Sequence, residues 1–205
     1  MPWFTVESWW SDQTQQGVPE GKARAYLVSR PVDPEGMEWS KRAFLWTTDA
    51  SHAGWVMDQG DAGADLIQSG PKGDINLASI RHFDSADLAM QAFSYSNSGN
   101  EMPVFIHGDW LVDASDYGAL VNDWNRGQVP YNFASTNSNA FASWFGAEAG
   151  VPIPETPAAS HLFKSWLPGW NTPVENFVPS LPLSNSPPIS GLWPYGQDYA
   201  SANSF

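Results

Sequence analysis

The 205-residue chain contains no cysteine, which excludes a disulfide framework, a thiolate zinc site, an iron–sulfur cluster and a cysteine nucleophile. Charge is sparse: Asp, Glu, Lys and Arg make up 15% of the residues, against roughly 25% in ordinary soluble domains. Positive charge is sparser still, with 9 Lys+Arg against 22 Asp+Glu and a formal net charge of −13. Sequence-independent binding to nucleic acid or to an anionic membrane needs clustered cations that displace counterions, so neither partner is expected. No apolar run approaches the roughly 20 residues that span a bilayer. Residues 1–10 hold Glu7 and no basic stretch, so no secretory signal is expected. That leaves cytoplasmic synthesis, with or without incorporation into a virion or other assembly. The chain also lacks a GxGxxG stretch, a P-loop, a GxSxG elbow and two histidines at helical spacing, so no cofactor or metal is expected. Asp58, Asp61 and Asp65 in DQGDAGAD match a calcium loop only loosely and read as a solvated acidic turn.

What the chain has instead is aromatic surface and proline: aromatics reach 14%, with 12 Trp, beside 17 Pro. Three segments follow from the distribution. Residues 1–22 form an aromatic entry segment. Residues 23–150 hold the regular elements. Residues 151–205, dense in Pro, Ser, Asn and Trp, read as an extended arm. Short β-branched or aromatic runs at 23–30, 42–48, 53–58 and 64–68, divided by Gly/Pro/Asp clusters, predict an antiparallel meander. Helical spacing follows at 85–93, at 113–124 with Asp113 or Ser115 as cap, and at 137–149 with Asn137 as cap and Gly150 as stop. Strands followed by helices predict an α+β fold, an antiparallel sheet with the helices packed on one face. Trp46, Trp55, Trp124 and Trp144 fall on these elements and are expected in the core. Trp3, Trp9, Trp10, Trp166, Trp170 and Trp193 lie outside them and are candidates for docking a protein partner.

The chemistry is concentrated in residues 131–145, YNFASTNSNAFASWF, which place Ser138 between Asn137 and Asn139 at the first turn of a predicted helix. Free N–H groups and the helix dipole there favour negative charge and can hold a developing oxyanion. A serine hydroxyl also needs a base, and His52, His82, His107 and His161 are the candidates.

A histidine entering a strand, further strands, then Asn-nucleophile-Asn opening a helix resembles the permuted papain-like folds. These include the permuted NlpC-type amidases and the lecithin-retinol-acyltransferase-like proteins. The matching stretches here are Asn137-Ser138-Asn139-Ala140-Phe141 and Ser51-His52-Ala53-Gly54-Trp55-Val56. The segment LVSRPVD at 27–33 also resembles the opening of bacterial and phage proteins that carry a similar Asn-Ser-Asn stretch. The likeness covers about residues 23–150 and implies a papain-like permuted topology. It implies a catalytic group of Ser138 as nucleophile, His52 as base, Asn137 and Asn139 beside the nucleophile, and Asp58 or Gln68 orienting the imidazole. Serine stands where that family carries cysteine, and a hydroxyl is far less acidic than a thiol. Three functions therefore stay open: an amide or ester hydrolase or acyltransferase, with cell-wall peptide the commonest substrate in the resembling group; an inactive scaffold of the same fold, such as a virion component; and a carbohydrate-binding module using exposed tryptophans.

Overall fold

A computed structural model describes residues 17–35, 51–96, 98–151, 169–170, 172–174 and 176–178. The run predicted at 42–48, with Trp46, and the entry segment through residue 16 lie outside these residues, as do His161 and five of the six docking tryptophans.

The runs at 23–30, 53–58 and 64–68 form β1 (Lys22–Pro31), β2 (Ser51–Asp58) and β3 (Ala64–Lys72). β4 (Ile75–Phe83) and β5 (Phe105–Asp113) complete a five-stranded sheet of order β4-β3-β2-β1-β5. Every neighbouring pair is antiparallel. Three helices follow the spacing read from the sequence: α1 (Ala86–Ser94), α2 (Tyr117–Arg126) and α3 (Ser138–Glu148). The architecture is α+β.

The helices do not share one face of the sheet, which corrects the sequence expectation. Tyr26, Val28, Val56, Ala64 and Leu66 pack under α1 with Ala89, Met90 and Phe93. Ala25, Leu27, Ala53, Trp55, Met57 and Ile67 face the other way, against Tyr117, Val121 and Trp124 of α2 and Phe141 and Phe145 of α3. The reason lies in β1, where Tyr26, Leu27 and Val28 are consecutive and all fully buried. Successive side chains of a strand point to opposite faces, so such a run needs cover on both sides.

The caps follow the chemistry of unsatisfied helix-end amides. The Leu88 amide donates to Ser85 Oγ at 3.3 Å. At α2 the cap is Asp116, whose carboxylate accepts from the Ala119 amide. Neither Asp113 nor Ser115 serves there: Asp113 ends β5 in an ion pair with Lys22. At α3 the Asn137 carboxamide oxygen accepts from Asn139 and Ala140, and Gly150 at φ 74° follows the helix.

Trp55 and Trp124 are fully buried and Trp144 nearly so. Trp55 Nε1 donates to the Ala142 carbonyl at 2.8 Å and Trp124 Nε1 to that of Asn76 at 2.9 Å, so both indoles fill core space without stranding a donor. The described part of 169–178 lies against the same core: Val174 and Val178 are buried in it and Trp170 is half-buried on it. Gly169, at φ 81°, passes the loop before α3 so closely that a Cβ would stand 2.1 Å from the Ser135 carbonyl oxygen.

Candidate active site

The site forms where β2 and β3 part. Their ladder runs from Asp58↔Ala64 to Trp55↔Ile67 and continues no further, although β2 extends back to Ser51 and β3 on to Lys72. The start of α3 enters this opening. Asn139 closes it: its Oδ1 accepts from the Ala53 amide at 2.8 Å and its Nδ2 donates to the Ser51 carbonyl at 2.9 Å. One carboxamide thus takes the place of the missing ladder rung and satisfies two buried backbone groups. It also fixes the helix start against the strand that carries His52.

That join brings Ser138 to His52. Ser138 Oγ lies 2.7 Å from His52 Nδ1, and His52 Nε2 lies 3.2 Å from Gln68 Oε1. With the Gln68 oxygen accepting, Nε2 carries the ring proton and Nδ1 presents its lone pair to the serine hydroxyl. The imidazole stacks on Phe93 of α1, with centroids 5.7 Å apart and planes 21° from parallel. Phe93 leaves little room at Gly54, where a Cβ would stand 3.0 Å from the ring and 3.2 Å from the Ile67 carbonyl oxygen. Burial and the nearby Arg30 charge push the His52 pKa down from 6.5 to about 3, against an opposing effect of Gln68. His52 is therefore neutral across the ordinary pH range.

The other sequence candidates fall as follows. Asn137 caps α3 and Asn139 ties its start to β2. Asp58 sits at the closed end of the β2–β3 ladder, where its Oδ1 accepts from the Gly60 amide; Gln68 sits at the open end, beside His52. His82 is exposed and bonded to Asp65 at 2.9 Å. Asp65 also accepts from Gln59 Nε2, and among the described residues no cluster of three or more His, Asp or Glu could hold a metal.

A second serine–histidine pair escaped the sequence reading. Ser29 Oγ lies 2.6 Å from His107 Nε2. His107 is the extra residue of a β-bulge, since Leu27 pairs with Gly108 and Val28 with Ile106. Burial pushes its pKa down to about 4. Bulges gather near functional sites, but a bulge leaves no mark in VFIHGDW, which reads as an apolar run ending at a glycine.

No protein-family profile, curated protein or solved structure matches this chain.

Proposed function

We propose that this chain is an amide or ester hydrolase, or an acyltransferase, of papain-like permuted fold, using Ser138 as nucleophile and His52 as general base. The observation that carries the reading is the 2.7 Å contact between Ser138 Oγ and His52 Nδ1 at a helix start, with Gln68 on the far side of the ring. A nucleophile, its base and an orienting group in one line is the minimal set for covalent acyl transfer. A side-chain amide in the orienting place parallels the Cys-His-Asn sites of papain-like proteases rather than a Ser-His-Asp triad.

In the reaction, the Ser138 proton passes to His52 Nδ1 while Oγ bonds to the substrate carbonyl carbon, giving a tetrahedral oxyanion. The Asn137 cap takes the amides of Asn139 and Ala140 but not that of Ser138, which serves as the oxyanion donor at the positive end of the α3 dipole. The imidazolium then protonates the leaving nitrogen or oxygen as the carbonyl–leaving-group bond breaks. The acyl-serine is opened by water, or by an acceptor alcohol or amine, with His52 again taking the proton. A base with a pKa near 3 is fully available at neutral pH but a weak proton acceptor, so slow turnover is expected. Cell-wall peptide is the substrate class that the papain-like resemblance implies.

One observation favours an inactive scaffold of the same fold: Ser138 is only 8% exposed. Rapid mixing with an activated acyl ester separates the two readings. The native chain should release the alcohol in a burst of one equivalent, and Ser138→Ala should show none. An identical time course for both leaves the scaffold.

A further inference from the structure

We propose that Arg30 is a carboxylate-binding residue of this site, and that the acyl substrate carries a free carboxylate beside the scissile bond. The proposal rests on the reading of Ser138 and His52 as the reacting pair. Arg30 is the cross-strand partner of His52 in the β1–β2 ladder. Both side chains lie on one aromatic ring: the Arg30 guanidinium carbon is 5.5 Å and the His52 ring 5.7 Å from the centre of Phe93. Arg30 and His52 thus share the Phe93 face of the β1–β2 pair.

What marks Arg30 out is the lack of an ion-pair partner among the described residues. Acidic residues far outnumber basic ones in the chain, and Lys22, Arg24 and Arg126 each have an aspartate, Asp113, Asp109 and Asp123. Lys72 and Arg81 are exposed to water. Arg30 is 92% buried by its 8% exposure, and its Nε has no hydrogen-bond partner among the described residues. The acid that acts on it, Asp33, makes no ion pair with it. The Asp33 carboxylate is instead taken by Ser96 Oγ, Asn100 Nδ2 and the Glu35 amide. A buried guanidinium nitrogen without an acceptor is costly, and the planar guanidinium fork matches a carboxylate with two parallel bonds. An incoming carboxylate supplies the missing charge and places the neighbouring acyl carbon at Ser138.

Isothermal titration of the Ser138→Ala chain with N-acetylalanine, whose carboxylate stands beside its amide bond, and with its uncharged isostere N-acetylalaninamide tests this without requiring turnover. The acid should bind at least about tenfold more tightly. Arg30→Gln in the same background should erase the difference, and Arg30→Lys, which keeps the charge but loses the fork, should narrow it. Arg81→Gln should leave it intact. Near-UV circular dichroism reports whether Arg30→Gln retains the packed tryptophans; if it does not, the comparison with Arg30→Lys decides. Equal affinities, no binding of either compound, or an undiminished preference without Arg30 overturns the proposal. An ester burst in the native chain that persists beside equal affinities would remove the Arg30 assignment and leave the Ser138 reading standing.

Discussion

Two serine–histidine pairs share one sheet, and the contrast between them separates a hydrogen bond from a reactive site. Ser29–His107 has the shorter contact, 2.6 Å against 2.7 Å for Ser138–His52. Both imidazoles are kept neutral by burial. The surroundings differ. Ser29 lies mid-sheet between β2 and β5 and is fully buried, so no substrate reaches it. Ser138 opens a helix, touches an imidazole held from behind by Gln68, and stands where two strands have separated. Distance alone therefore does not distinguish them; the helix end, the orienting amide and the gap in the ladder do.

The largest effect that would sharpen this contrast is on reaction with an acylating or phosphonylating probe. His52→Ala should slow modification of Ser138 by at least about a hundredfold, whereas His107→Ala should leave the rate near the native value. The reverse order would transfer the assignment to Ser29. Gln68→Ala should cost about ten- to a hundredfold in the same assay, since a loosened imidazole loses its tautomer and its aim. Gln68→Asn, too short to reach Nε2, should fall beside it.

A smaller effect concerns the opening itself. Asn139→Ala strands the Ala53 amide and the Ser51 carbonyl, which should cost about 1–3 kcal/mol of stability for each group left without a partner. Urea unfolding measures this. Asn137→Ala, which removes the cap and the Nδ2 bond to the Phe133 carbonyl, should cost at least about 0.5–2 kcal/mol. A near-neutral Asn139→Ala would show that the β2–β3 opening is held by something other than that carboxamide.

The pH dependence involves both pairs. Each imidazole has a folded-state pKa depressed below the unfolded value of 6.5, to about 3 for His52 and about 4 for His107. Between these limits the unfolded chain binds more protons, so stability is fully present above about pH 6.5 and declines as pH falls through the window. Thermal midpoints between pH 7 and 4.5 should fall, and His52→Asn should flatten the decline. A midpoint that rises on acidification contradicts neutral buried imidazoles.

How much of this could be read from the residues varies with the kind of signal. Two of the three helix starts were legible because capping is local: the helices read from Ser85 and from Asn137 begin there, whereas the second is capped by Asp116 and not by Asp113 or Ser115. Ser138 was singled out from its place at a helix start, and His52 from the papain-like resemblance of the stretch that enters β2. The choice between Asp58 and Gln68 was not decidable from sequence. Both lie on β-strands close to the β2–β3 connection, and only the pairing shows that one is at the closed end of the ladder and the other at the open end. The second helical layer was missed because the order of strands followed by helices suggested one covered face, while the consecutive Tyr26, Leu27 and Val28 of β1 require two. Ser29–His107 depends on a one-residue slip between distant strands, and Arg30 on the absence of a neighbour; neither leaves a local pattern.

Mapping a fluorophosphonate adduct by peptide mass spectrometry on the native chain tests the central claim most directly. The account predicts phosphonylation of Ser138 and none of Ser29, lost when His52 is replaced by alanine. An adduct confined to another serine, or modification of Ser138 that proceeds equally well without His52, would contradict it.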